Sequence, residues 1–274
     1  MKSKLLIALL VIAITLFLGV AAVVVLNPFR GSETSEAQPT EIHETFELSP
    51  GATVEVRGIN GPVLIETADT NTAEVHITRS ARDAESLARN RVVLEHTPTS
   101  ILVRTENARG SFWKQLWGGW WRGGAKQEVT MRLPRRIDLR VRGTNGKVTV
   151  GATEGTLSLD GINGRVEVSA MSTSDAEVSG VNGSVNLGIS QLGGRGARIN
   201  GVNGAINLNI AAGVNADLSV RGINGRVESD LPNVSIEHGE DRSNYSTRIG
   251  AGGTPLSLSG INGRVHLSPL TTTN

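Results

Sequence analysis

The sequence predicts an all-β protein, built largely as a parallel β-solenoid and carried outside a membrane on an N-terminal transmembrane helix. Three observations lead there. A Gly-x-Asn-Gly quartet occurs seven times, beginning at Gly58, Gly143, Gly161, Gly180, Gly201, Gly222 and Gly260. From Gly143 the steps are 18, 19, 21, 21 and 38 residues, and a period near 20 marks repeats that stack as coils. The 274-residue chain has 33 glycines and only 3% aromatic residues, and short β-branched runs between the glycines suit strands.

The elements follow in chain order. Residues 1–4 form a cytoplasmic tail, and Leu5 to Leu26 is an uncharged run of 22 residues. At a rise of about 1.5 Å per residue it reaches roughly 33 Å, enough for a bilayer core. A cleaved signal peptide has only about 7–15 apolar residues with a small-x-small site close behind; here the nearest such site, Ser35-Glu36-Ala37, lies well beyond the run. Lys2 and Lys4 precede the span and only Arg30 follows it closely, which points the C-terminal part outward. Residues 27–41 are polar and read as a flexible linker. Over residues 42–140, "TVEVRG", "PVLIETA", "AEVHIT", "SILVRTE" and "EVTMRLP" alternate apolar with polar residues and predict strands. "DAESLARN" places Ala and Leu at helical spacing after an N-cap aspartate, predicting a short helix near residues 83–90. Residues 141–268 form the repeat array, and residues 269–274 a disordered tail.

The repeats share a register. Two residues before each quartet stand Val56, Val141, Leu159, Val178, Ile199, Val220 and Leu258; two residues after it stand Val63, Val148, Val166, Val185, Ile206, Val227 and Val265. Asn-Gly between alternating runs also signals a type I′ hairpin, so an antiparallel hairpin array is the alternative. In a hairpin closed by Asn163-Gly164, Ile162 would pair with Arg165 on the polar face. Yet the second quartet position is apolar in six of seven copies, with Thr144 the exception. A coil corner places that residue in the core. Gly161, Asn163, Gly164, Gly180, Asn182, Gly183, Gly201, Asn203, Gly204, Gly222, Asn224 and Gly225 are therefore expected to be structural corners, with each asparagine stacked on its equivalents. The last step is twice 19, which predicts a decayed or interrupted copy within "EHGEDRSNYSTRIGAGG".

The "GING" and "GVNG" corners, with "RLPRRIDLRV" leading into the array, resemble a bacterial adhesin-domain family of unknown function that includes DUF4097 and the head GIN domain. The similarity runs over roughly residues 45–268. It implies a β-rich ectodomain with an adhesin-like role, and it brings no catalytic residues.

The chemistry that can be sought is mostly excluded. Lys plus Arg is 27 and Asp plus Glu is 26, so no global charge points to nucleic acid. The absence of cysteine removes disulfides, thiolate metal sites, a cysteine nucleophile and a lipoprotein-type anchor. "GTNGKVT" has the wrong glycine spacing for a P-loop, and "GRGARING" puts Ile199 where a dinucleotide fingerprint needs its third glycine. Calcium rolls need carboxylates in the repeat, which asparagine does not replace. The five histidines lack metal spacing, and no Gly-x-Ser-x-Gly elbow occurs. No catalytic residue, cofactor or metal is expected.

Two features remain. Arg142, Lys147, Arg165, Arg221, Arg226 and Arg264, with Arg57, flank the corners. They suit either an anionic glycan or lipid phosphate, or the guarding of sheet edges. The other is "RGSFWKQLWGGWWRGGAK", where Phe112, Trp113, Trp117, Trp120 and Trp121 gather among basic residues, with no acid between Glu106 and Glu128. That composition suits a membrane surface, an envelope glycan or a protein partner, or a plug for the solenoid end. The expected function is a non-enzymatic binding or scaffold module on the bacterial cell membrane, facing the periplasm or cell surface. The alternatives are a polysaccharide-processing β-helix enzyme, for which Asp160, Glu167 and Glu228 are the nearest carboxylates, and the sensor domain of an envelope-stress system.

Overall fold

The computed structural model describes residues 39–107, 125–238 and 243–271. The chain divides into two units, Met1–Ser35 and Glu36–Asn274, and every described residue belongs to the second. Among the described residues no helix is long and apolar enough to cross a membrane, and the anchor expected at residues 5–26 lies outside them.

The described fold is all-β with one short helix. Its strands are β1 (Thr40–Glu47), β2 (Ala52–Arg57), β3 (Val63–Ala68), β4 (Thr72–Ser80), β5 (Asn90–Thr97), β6 (Ser100–Asn107), β7 (Lys126–Pro134), β8 (Ile137–Arg142) and β9 (Val148–Glu154). They continue as β10 (Leu157–Asp160), β11 (Val166–Asn182), β12 (Val185–Asn203), β13 (Ile206–Ile210), β14 (Ala216–Arg221), β15 (Asn224–Ser229), β16 (Glu237–His238), β17 (Tyr245–Ile249) and β18 (Pro255–Pro269). The helix spans Ala84–Arg89, within the predicted stretch, and the Asp83 carboxylate accepts from the Ser86 amide at 2.7 Å as its N-cap.

All eighteen strands join one hydrogen-bonded network. It consists of two runs. The first goes β5–β6–β2–β8–β10, then the second half of β11, the second half of β12, the first half of β18, and β14–β17–β16. The second goes β1–β4–β7–β3–β9, then the first halves of β11 and β12, then β13, the second half of β18, and β15. Each Gly-x-Asn-Gly carries the chain from the first run to the second. Pairing through the middle is parallel, and the antiparallel pairs lie towards the two ends. None of those antiparallel pairs is closed by a quartet.

The core lies between the runs. Both predicted apolar rows are inside it, each member between 0% and 8% exposed. The second quartet position is buried in every copy, from Ile59 to Ile261. A fully buried Val or Ile contributes about 1.5–3 kcal/mol, so these three rows supply a substantial share of the cohesion.

The array departs from its expected order in one respect. The segment expected to hold a decayed copy contains no further coil among its described residues. It forms β16 and β17, and β17 turns back antiparallel on β14. The chain then crosses β14, and β18 enters between the coil that ends in β13 and the coil made of β14 and β15. The 38-residue step is therefore one coil plus a returning strand. Leu231, Val234 and Ile236, just before β16, pack against the end of the core. The lost periodicity reflects a cap, which must differ from a repeat to stop the stacking.

Candidate functional site

The corner is the repeated unit from which any surface of this molecule is built. In the copy at Gly161, that glycine has φ +63° and Gly164 has φ +156°, both in the region that favours glycine. The two are constrained differently. A Cβ on Gly161 would meet nothing closer than the Gly143 nitrogen at 3.6 Å, whereas one on Gly164 would lie 2.3 Å from the Gly146 carbonyl oxygen. The second glycine is needed because the neighbouring coil's backbone occupies the space a side chain requires.

Between the glycines the asparagines form a continuous amide ladder. Asn145 donates to Asn60 at 2.9 Å, Asn163 to Asn145 at 3.1 Å, Asn182 to Asn163 at 3.2 Å and Asn203 to Asn182 at 3.1 Å. It continues with Asn262 donating to Asn203 at 3.0 Å and Asn224 to Asn262 at 3.1 Å. The spatial order thus exchanges the last two repeats of the sequence. At the other end Asn60 donates to the Ala125 carbonyl at 3.0 Å, and its own backbone amide donates to Gln127 Oε1 at 3.1 Å. Gln127 is only 2% exposed and also accepts from Thr105 Oγ1 at 2.9 Å. It substitutes for a quartet at the end of the ladder. No local signal marks it, since its partners lie 67 and 22 residues away.

The basic residues form two groups. Read across the coils, the position after the quartet is Pro62, Lys147, Arg165, Ser184, Ala205, Arg264 and Arg226. The position before it is Arg57, Arg142, Asp160, Ser179, Asn200, Ser259 and Arg221. Cations therefore cluster towards the two ends, with neutral residues between. The first group is mostly paired. Glu55 meets Arg57 at 2.6 Å and Arg142 at 4.0 Å, and Glu167 meets Lys147 at 2.6 Å and Arg165 at 3.5 Å. The Arg57 guanidinium holds the Glu55 carboxyl below its ordinary range, and the Lys147 ammonium does the same for Glu167. Carboxyls held low in the fold favour it at neutral pH, and that contribution is lost as the medium turns acidic. In the second group Arg226 pairs with Glu228 at 2.8 Å, while Arg221 and Arg264 make no salt bridge among the described residues.

Phe112, Trp113, Trp117, Trp120 and Trp121 lie outside the described residues. The flanks of their segment are described. The chain leaves at the end of β6 and returns at buried Ala125, beside Asn60 and therefore at the corner edge of the sheet. Of the carboxylates near the corners, Glu167 and Glu228 are ion-paired, and Asp160 accepts from Ser179 Oγ at 2.7 Å. Histidines that are scattered in sequence meet near β1. His76 lies 3.8 Å from Glu41 and His96 lies 3.6 Å from Glu44, with the His96 ring stacked on Phe46 at 3.9 Å. Among the described residues no group of three or more His, Asp or Glu is arranged to hold a metal ion. A shallow cavity of about 430 Å³ lies over Pro50, Arg136, Asp138 and Glu154, whose polar atoms already bond one another or Thr156.

No family model and no curated protein matches the chain. Among solved structures it is similar to a "putative cell adhesion protein" of Clostridium sporogenes, at 12% identity over 85% of this chain and 100% of that one, with a TM-score of 0.37. It is also similar to a "putative adhesin" of Bacteroides fragilis, at 8% identity over 83% and 97% of the two chains and a TM-score of 0.35. A "putative lipid binding protein" of Parabacteroides distasonis gives 11% identity over 84% and 94%, with a TM-score of 0.25.

Proposed function

We propose that this chain is a non-enzymatic, adhesin-like β-solenoid of the bacterial cell envelope, held outside the cytoplasmic membrane by its N-terminal segment. It binds or scaffolds through multivalent contact along a rigid repeat surface. The observation that carries this reading is the seven-membered asparagine ladder, which fixes every coil in one register. A register of that kind repeats each exposed position at about 4.8 Å, so a partner with its own repeat meets many equivalent contacts at once.

The tryptophan segment supplies the second contact in this reading, and a lipid surface is its occupant. Aromatic residues among cations partition to the headgroup boundary, and this segment joins the fold at the corner edge that also carries Arg57, Arg142 and Lys147. The test uses full-length protein in nanodiscs mixed with anionic phospholipid vesicles. Intact protein should float with the vesicles, and Trp117→Ala with Trp120→Ala should abolish flotation while leaving strand content unchanged. Unaltered flotation with a collapse in melting temperature would instead make the segment a structural plug. Fractionated cells should hold the protein at full length in the membrane; a soluble product starting beyond residue 26 contradicts the anchor.

A further inference from the structure

All seven quartets contain Asn-Gly, the dipeptide whose small second residue least hinders attack of its own amide nitrogen on the asparagine side chain. Local chemistry therefore treats the seven alike, and the fold separates them. In six copies the side-chain amide is held from both sides. Nδ2 donates to the preceding member, or to the Ala125 carbonyl in the case of Asn60, while Oδ1 accepts from the following one. Asn224 terminates the ladder. It donates to Asn262 at 3.1 Å, and its Oδ1 accepts from no other amide of the ladder.

In the middle of the ladder the backbone adds a second restraint. Gly164, Gly183 and Gly204 each donate their N–H to the asparagine carbonyl of the next coil at 3.0 Å. Gly225 lies in β15, which pairs with β18 on one side and with no other described strand. Of the seven second glycines, Gly225 alone is exposed, and the other six are half-buried.

We propose that Asn224 is a site of spontaneous deamidation, from which the ladder protects the other six asparagines. The Gly225 nitrogen attacks Cγ of Asn224 and gives up its proton to base, and Nδ2 leaves as ammonia, closing a succinimide. Water then opens the ring at either carbonyl, leaving aspartate or isoaspartate at position 224. One nitrogen is lost, one oxygen comes from water, and no electron is transferred. The product places a carboxylate against Asn262 Oδ1, where a donor had been, so each conversion removes the bond that pins the next member. Conversion therefore proceeds along the spatial ladder, from Asn224 to Asn262 to Asn203, and not along the chain.

Peptide mapping of aged, folded full-length protein tests this. After incubation in mildly alkaline buffer, trypsin frees Gly222–Arg226 as a peptide of its own, bounded by Arg221 and Arg226. Mass spectrometry then reads amide-to-acid conversion at each of the seven sites, with a urea-unfolded sample as reference. Asn224 should convert several-fold faster than the others in the folded protein, because attack elsewhere must first break the additional hydrogen bond accepted by Oδ1. In urea the seven should convert at similar rates. Asn224→Asp should then make Asn262 the fastest of the remaining six. Equal rates across the folded protein, or an intact Asn224 where the unfolded chain converts, would overturn the assignment. Equal rates at the remaining six in Asn224→Asp would overturn the protective role of the ladder.

Discussion

Gly161 and Gly164 look interchangeable in the sequence, and the structure gives them different reasons to be glycine. Gly161→Ala has to hold a left-handed backbone with its Cβ in ordinary contact with Gly143, at a cost of about 1–2 kcal/mol. Gly164→Ala must in addition push its Cβ away from the Gly146 carbonyl, which adds about 1–3 kcal/mol of overpacking. Denaturant titration should rank the two in that order, and equal losses would mean that the coils separate more easily than their spacing implies. Thr144 is the reverse case. It occupies the buried apolar position of its quartet at 1% exposure, and its hydroxyl has no hydrogen-bond partner among the described residues. Thr144→Val should raise stability by about 1 kcal/mol, seen as a higher denaturation midpoint with an unchanged slope. The corners were legible in the sequence because glycine, asparagine and a buried apolar residue recur at fixed offsets. Gln127 was not, since its role depends on Asn60 and Thr105, which the fold brings to it from distant positions.

At the scale of elements, strands and corners reveal themselves through periodicity, and the ends of the array do so through its loss. Asp83 before Ala84–Arg89 announced its helix because an N-cap is local chemistry. The stretch holding β16 and β17 broke the repeat, and a broken repeat has no unique solution in sequence. Doubling the period suggested a worn coil, whereas the structure uses the segment to close the core. Leu231, Val234 and Ile236 cover the last coil. At the opposite end Glu44 and His96 lie in inward-facing register positions, opposite Val75 and Ile101, and pair at 3.6 Å between half-buried Ile42, Phe46 and Leu94. A polar pair at that place discourages another coil or another molecule from stacking on it. Leu231→Asp combined with Val234→Asp should uncap the far end. The expected outcome is self-association in light scattering together with a lower melting temperature; a monomer of unchanged stability would show that these residues do not close the core.

At the scale of the molecule, each described repeat pairs with the repeats beside it. Through the middle of the ladder neighbours are separated by 18–21 residues, as the bonds from Asn145 through Asn163 and Asn182 to Asn203 show. Asn203 and Asn262, however, are 59 residues apart. Among the described residues the outermost coil, β14 with β15, reaches the rest of the ladder only through β18, the last of the described strands. The final repeat therefore acts as a keystone. Until Pro255–Pro269 has taken its place, the coil ahead of it has no native neighbour on its inner side. Cleavage ahead of Pro255 therefore removes a course from inside the stack, not from its end. Whether the stack closes is thus decided by the strand that arrives after the coil it has to hold.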